Sequence, residues 1–567
     1  MIQNRPMADR HGQGRMGRWL VMAVLFVVAL GVRGFRAWQE PVVNPDTIRF
    51  IDQAMVLGAH PLRAMRREVY HPLHSAAGLA VHEVIGGWFN NDRAAWLVSM
   101  QTVGVICGAI VALQIVRLSR LLGAPFWAGV GAGVVWTVGR RTSAFGADGL
   151  SDMLCLVFFT GSMLLGIRAM RGLARGMETR HMVGFGLAGV LSGMAYLTRP
   201  EGMGAVLILG ITLLLLALPR PRRERGGPGG AAVVGRAFKL FPRERARPLA
   251  VGAALAMLLV GALVPALPYM AVIGTLTNKV PTTQNAPAAA SLVLLGAAPL
   301  SDLMRMVREL WETFGFGPWL VLLLALPLRM RLWGRPRVRL VVVVWMVFWV
   351  TIMLWLLSWK GYLDGRHTLA LQVLLHGLLA LAFGVYAVAA RRMMRRYGKG
   401  GWKRWPELAG VTACVAAAVP GVIRFGTPPL NDQFYVRDAA LWIAANVRPD
   451  AVVCDNELRI GYYSGHPYSL WEGPQVDAQL NELAGIRGAA PGKPGRPLVA
   501  GWVYRPGNGE EVRAAVGPYR EIMRFKSDAA IHGDVLVLYA LPRDHVLDLP
   551  GAATQAAAPA SLPVGGP

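Results

Sequence analysis

Residues 193–203 read "GMAYLTRPEGM", with Arg199 and Glu201 flanking Pro200 at the junction of two strongly apolar runs, about 183–198 and 202–218. A turn between two helices needs a turn former, not a charge. At such a depth an ionisable side chain is costly unless it is paired or used. The stretch therefore reads as the mouth of a membrane-spanning helical hairpin whose charged residues have a task.

The same pattern extends along the chain. Of 567 residues, 54% are hydrophobic and 16% charged, which is too apolar for one soluble core. Windows of about 17 to 25 apolar residues recur, each able to cross about 30 Å of hydrocarbon as a helix. Spans are expected at about 18–37, 93–116, 125–139, 149–167, 183–198, 202–218, 249–275, 317–330, 338–358, 367–390 and 407–424, eleven in all. The N-terminal basic residues and the apolar run after them form an uncleaved first span, since no small-residue cleavage site follows.

The formal charge is +26, but the arginines bunch in short connections such as "RPRRERGG" (220–227), "RMRLWGRPRVR" (329–339) and "RRMMRRYGKGGWKRW" (391–405). These are positive-inside signals, and they fall on one side when the N-terminus is cytoplasmic. No basic cluster is interleaved with aromatics as a base-stacking surface, so nucleic acid is excluded as a partner. Four cysteines without a CxxC pair indicate neither a zinc site nor a disulfide framework.

The helical run 71–89, "HPLHSAAGLAVHEVIGGWF", would invert every later loop if it crossed, so it is placed along the outer interface. The expected fold class is an all-α polytopic membrane bundle, about eleven transmembrane helices plus interfacial helices, with a small C-terminal α/β extracytoplasmic domain. Residues 1–17 are the cytoplasmic N-terminus. Residues 18–427 are the transmembrane domain with outer loops 38–92 and 276–316, and 428–547 are the α/β domain, with "AVVCD", "PLVAGWV" and "VLVLYAL" as short buried strands. Residues 548–567, rich in Ala, Pro and Gly, are a disordered tail. The location is the cell inner (plasma) membrane.

Polar clusters gather at the outer boundary in this topology. "VVNPDTIRF" (42–50) opens a helix, with Asn44 as cap, Pro45 at its first position and Asp46 in its first turn. On spacing alone Asp46 complements the helix dipole. Then come Tyr70 and His71, Asp148 and Asp152 after Arg140 and Arg141, "TRPE", and "WKGYLDGRHTLALQ" (359–372) with Asp364, Arg366 and His367. Carboxylates beside several cations suit the gripping of a phosphate while a carboxylate deprotonates a hydroxyl.

An acid in the first outer loop, a "hP(P)LY"-like segment near 70–75, an Asp opening a later span, "LTRPEG" and an Arg beginning a late span together resemble the GT-C membrane glycosyltransferases. The protein O-mannosyltransferase and aminoarabinose transferase group is nearest, and the similarity covers about residues 18–390. It implies a polyprenyl-phosphate-linked sugar as donor, an acceptor lipid, protein or glycan, and transfer with inversion without a nucleotide. Asp46 matches the family's catalytic acid. His71, Arg199 and Arg366 fall at donor-phosphate positions. Asp152 or Asp148 corresponds to a second acidic site, Asp152 favoured because it directly precedes the apolar run, and Tyr70, Glu201 and His367 are supporting residues. Two departures are visible: Asp46 is followed by Thr47 where many members have a second acid, and "PPLY" is reduced to "HPLH". No cofactor is implied with certainty, and a divalent metal is left open. The alternatives are a lipid-linked-sugar flippase or transporter, for which inverted repeats and broken helices would speak, and a noncatalytic envelope scaffold.

Overall fold

The computed structural model describes residues 13–40, 42–67, 70–173, 178–218, 248–278, 300–325, 336–360, 363–397, 405–425, 434–447, 451–455, 458–470, 498–504, 520–526 and 535–540. Residues 1–12 of the expected N-terminal segment 1–17, residues 279–299 of the expected outer loop 276–316 and the tail 548–567 lie outside them. The chain divides into two compact units, Met1–Glu40 with Arg49–Pro429, and Pro41–Ile48 with Leu430–Pro567.

The first unit is helical. Its elements are α1 (Gln13–Gln39), α2 (Pro45–Ala59, which begins in the second unit), α3 (Pro61–Arg67), α4 (Pro72–Ile85), α5 (Asp92–Leu122), α6 (Phe126–Val138), α7 (Arg140–Ala147) and α8 (Asp152–Leu173). There follow α9 (Thr179–Tyr196), α10 (Gly204–Ala217), α11 (Pro248–Ile273), α12 (Leu300–Phe314), α13 (Phe316–Ala325), α14 (Pro336–Lys360), α15 (Leu369–Tyr397) and α16 (Trp405–Phe425). Short 3₁₀ turns sit at Gly86–Trp88, Pro200–Met203 and Gly365–Thr368.

Among the described residues seven helices are long and apolar enough to cross a membrane. The expected spans at 125–139 and 317–330 fall on helices of 13 and 10 residues, shorter than the roughly 20 that an untilted crossing needs. Residues 326–330 are outside the described set. Sequence dictates the helix ends: Asn91 caps α5 by accepting from the amides of Arg93 and Ala94, and Gly123 closes it in the left-handed region at φ 105.

Large apolar side chains such as Val27, Leu259 and Val260 remain exposed on the bundle, as contact with lipid tails allows. Its interior packs Trp136, Trp345, Phe159 and Phe383 with the aliphatic faces of α5, α8 and α15. Helices α9 and α11 approach so closely that a Cβ at Gly189 would meet the Leu258 carbonyl oxygen at 2.1 Å, and one at Gly261 the Gly186 carbonyl at 2.2 Å. Backbone-to-backbone contact of this kind holds membrane helices where burial from water gives little drive.

The second unit has a five-stranded sheet ordered β2-β1-β3-β5-β4, from β1 (Val452–Asp455), β2 (Tyr468–Leu470), β3 (Leu498–Tyr504), β4 (Arg520–Lys526) and β5 (Val535–Ala540). β1 is parallel to β2 and β3, while β3, β5 and β4 are antiparallel, with a bulge between Glu521 and Met523. Among the described residues this unit also has helices α17 (Phe434–Asn446) and α18 (Arg459–Ser464). Its core joins Val436, Ala439, Ile443, Val453 and Leu538 to Val42. The stretch Pro41–Ile48, expected within an outer loop of the bundle, thus folds with the C-terminal unit.

Gly189→Leu should force α9 and α11 apart, at a cost of about 1–3 kcal/mol, read as a lowered melting temperature of the purified protein in detergent. Gly252→Leu, at a site with open space around it, should leave the melting temperature near that of the parent.

Candidate functional site

The hairpin "TRPE" folds tightly. α9 ends at Tyr196, the amides of Leu197 and Arg199 still bond back to Gly193 and Ala195, and the Ser192 hydroxyl donates to the Gly202 carbonyl at 2.9 Å. Arg199 is extended, at φ −154, just before the Pro200 turn. Its Nη1 donates to Asp152 Oδ1 at the start of α8, and its Nε lies 3.5 Å from Glu201 Oε2. The Asp152 side chain is 5% exposed, and among the described residues its Oδ2 has no hydrogen-bond partner. Asp152 and Glu201 thus supply the opposite charge that a buried guanidinium needs.

The third element is the turn Gly365–Thr368. Asp364 caps it, its amide donating to His367 Nδ1 at 3.2 Å, and Arg366 Nε lies 3.3 Å from Asp364 Oδ2. Asp152, Arg199, Glu201, Arg366 and His367 then line one partly open cavity, whose other walls are Cys155, Leu156, Phe159, Trp349, Leu356, Leu369 and Ala370.

Four residues named from the sequence are not among its lining. His71 is buried beside Tyr196 and Tyr269, with ring centroids at 4.8 and 5.1 Å, and its Nε2 is 3.2 Å from Thr277 Oγ1. Tyr70 stacks edge-on against Phe50, and its hydroxyl accepts from Arg49 at 3.2 Å. Asp148 caps the C-terminus of α7. Asp46 belongs to the second unit, where its amide bonds to Asn44 Oδ1 at 3.0 Å.

Sequence reading missed the apolar walls, although a signal was present. Asp152, Cys155, Leu156 and Phe159 follow the helical spacing i, i+3, i+4, i+7, so the face of α8 that holds the acid also builds the wall. It also missed the clasp of Arg141 on Glu309, at 2.8 Å, and on Glu312, which joins α7 to α12. Among the described residues no three of His, Cys, Asp and Glu lie close enough to hold a metal ion.

No protein-family model matches the sequence, and no curated protein matches it. Solved structures share its architecture. ArnT from Cupriavidus metallidurans, bound to undecaprenyl phosphate, aligns at TM-score 0.55 and 14% identity over 91% of this chain and 97% of its own. The oligosaccharyltransferase AglB from Archaeoglobus fulgidus, in complex with an inhibitory peptide and a dolichol-phosphate, aligns at TM-score 0.51 and 11% identity over 92% of this chain and 74% of its own. The shared feature is the fold: the chain has the architecture of these two structures. It is accordingly a polytopic, multi-pass membrane protein.

Asp152→Ala should leave Arg199 buried without its main partner, at a cost of about 3–5 kcal/mol. Glu201→Ala, at the longer and more exposed contact, should cost about 1 kcal/mol or less. Thermal unfolding in detergent compares the two, and equal losses would mean that Asp152 is not what holds the guanidinium.

Proposed function

We propose that the chain is an integral-membrane glycosyltransferase that moves a monosaccharide from a polyprenyl-phosphate donor to an extracytoplasmic acceptor. The observation that carries this is the cavity itself: two guanidinium groups, Arg199 and Arg366, among carboxylates in a space otherwise walled by apolar side chains. A phosphate on an isoprenoid tail has those two chemistries, an anion for the arginines and hydrocarbon for the walls. Asp152 Oδ2, a buried acceptor, offers a partner to a sugar hydroxyl. The undecaprenyl phosphate bound to ArnT and the dolichol-phosphate bound to AglB support the choice of donor.

In this reading Asp46 is the general base. It takes the proton of the acceptor hydroxyl as the oxygen attacks the anomeric carbon. The bond from that carbon to the phosphate oxygen breaks, and the electron pair leaves with the phosphate. Arg199 and Arg366 stabilise the charge that develops there, with His71 as a further phosphate contact. The topology that goes with it is eleven spans, a cytoplasmic N-terminus and an extracytoplasmic C-terminal domain in the inner membrane. The acceptor is a lipid, a protein or a glycan.

Purified protein incubated with a panel of radiolabelled polyprenyl-phosphate sugars should transfer label and release free polyprenyl phosphate. Parallel reactions with chelator decide whether a divalent ion takes part. Asp46→Asn should lower transfer by about 10²-fold or more while protein level and melting temperature stay near those of the parent; retained transfer would remove Asp46 from its role. Label that crosses between leaflets without release of polyprenyl phosphate would instead identify a flippase.

A further inference from the structure

The second unit contains an arrangement that bears on Asp46. Val42 is fully buried in the α/β core against Val436, Ala439 and Ile443 of α17 and Leu536 and Leu538 of β5. Val43 is 1% exposed, and its amide donates to the hydroxyl of Tyr463, 420 residues further along the chain, at 2.9 Å. One residue on, Asn44 begins α2: its side chain accepts the Asp46 amide at 3.0 Å, and its carbonyl accepts the Thr47 amide at 2.9 Å. Only Asn44 and Pro45 therefore lie between the residue bonded to Tyr463 and Asp46.

Tyr463 is itself well placed to hold something still. It lies on α18, which is pressed onto β2 so closely that a Cβ at Gly461 would meet Tyr468 Cβ at 2.2 Å, and its ring packs on the same core as Val42. The first turn of a helix is where backbone hydrogen bonds are incomplete and fraying begins. A general base must nevertheless be held within fractions of an ångström of its target.

We infer that the C-terminal α/β unit positions the proposed base, with Tyr463 as the positioning residue: its hydroxyl, together with the buried Val42, fixes the strand that leads into Asp46. The inference rests on the reading of Asp46 as general base. It gives the C-terminal unit a part in the chemical step, beyond any part in acceptor binding. Tyr463 touches no reacting atom; it acts through Val43 and the opening of α2.

The experiment uses full-length Tyr463→Phe, which keeps the ring in the core and deletes only the acceptor oxygen. Hydrogen exchange of the intact protein needs no substrate. Amides of residues 43–48 should exchange about tenfold faster, the scale of one lost hydrogen bond, while those of α17 stay unchanged. Unaltered exchange at 43–48 overturns the anchoring. With the radiolabelled polyprenyl-phosphate sugar that the panel selects, kcat should fall about 10- to 100-fold, as small misplacements of a catalytic group do, with KM for that donor unchanged. In an Asp46→Asn background the same substitution should cost nothing further. A full kcat in Tyr463→Phe beside an inactive Asp46→Asn overturns the positioning role and leaves the base in place. Full activity in Asp46→Asn overturns the base itself, and the exchange result still decides the anchoring. Val43→Pro, which removes the donor of the same bond, should reproduce the exchange change from the other side and provides the second variant if Tyr463→Phe fails to fold.

Discussion

A guanidinium inside a helical membrane bundle is tolerated only with carboxylates at hand, and the Arg199–Asp152 pair, flanked by Glu201, sets this constraint on the first unit. Neither partner could be buried alone. The start of α8 must therefore lie against the Pro200 turn, and the bond from Ser192 to Gly202 holds that turn folded back on α9. Once these elements meet, the space beside them is bounded by the turn that carries Arg366 and by the apolar faces of α8 and α14. The cavity follows from where a charge can be afforded.

Neighbouring contacts brace that junction from several directions. The amide of Leu73 donates to the Leu197 carbonyl at 2.9 Å, tying the start of α4 to the end of α9, and His71 packs edge-on against Tyr196 in the same corner. His74 reaches the Gly149 carbonyl at 2.7 Å, three residues before Asp152. The Arg141 clasp brings α12 against α7, and a Cβ at Gly365 would meet Arg141 Nη1 at 2.7 Å. The clasp and the turn holding Arg366 are thus packed in direct contact. Close backbone approach between α9 and α11 lets these polar contacts form without loosening the bundle.

Much of this was legible because it depends on local periodicity and on the cost of charge. Long apolar runs announce helices, and an arginine beside a proline between two of them announces either a pair or a ligand. Here the pair is seen, and the cavity leaves room for the ligand. Arg199 and Glu201 stand out on that basis, whereas Asp152 is named because it directly precedes an apolar run and Arg366 by the family resemblance. His71 was chosen by its place before Pro72, a motif argument. Sequence cannot show that Tyr196 and Tyr269, 125 and 198 residues further along, surround the imidazole. Nor could it show that Pro41–Ile48 joins the C-terminal unit: Val42 and Val43 read as ordinary loop valines, and their partners lie about four hundred residues away. Long-range pairing of this kind leaves no periodic trace.

The two acids on Arg199 do not exhaust what it can offer an anion. A guanidinium has five N–H donors, and the contacts to Asp152 and Glu201 are made by Nη1 and Nε. Glu201 makes the longer of the two contacts, which gives it a physical reason to sit beside an arginine at the mouth of a helical hairpin.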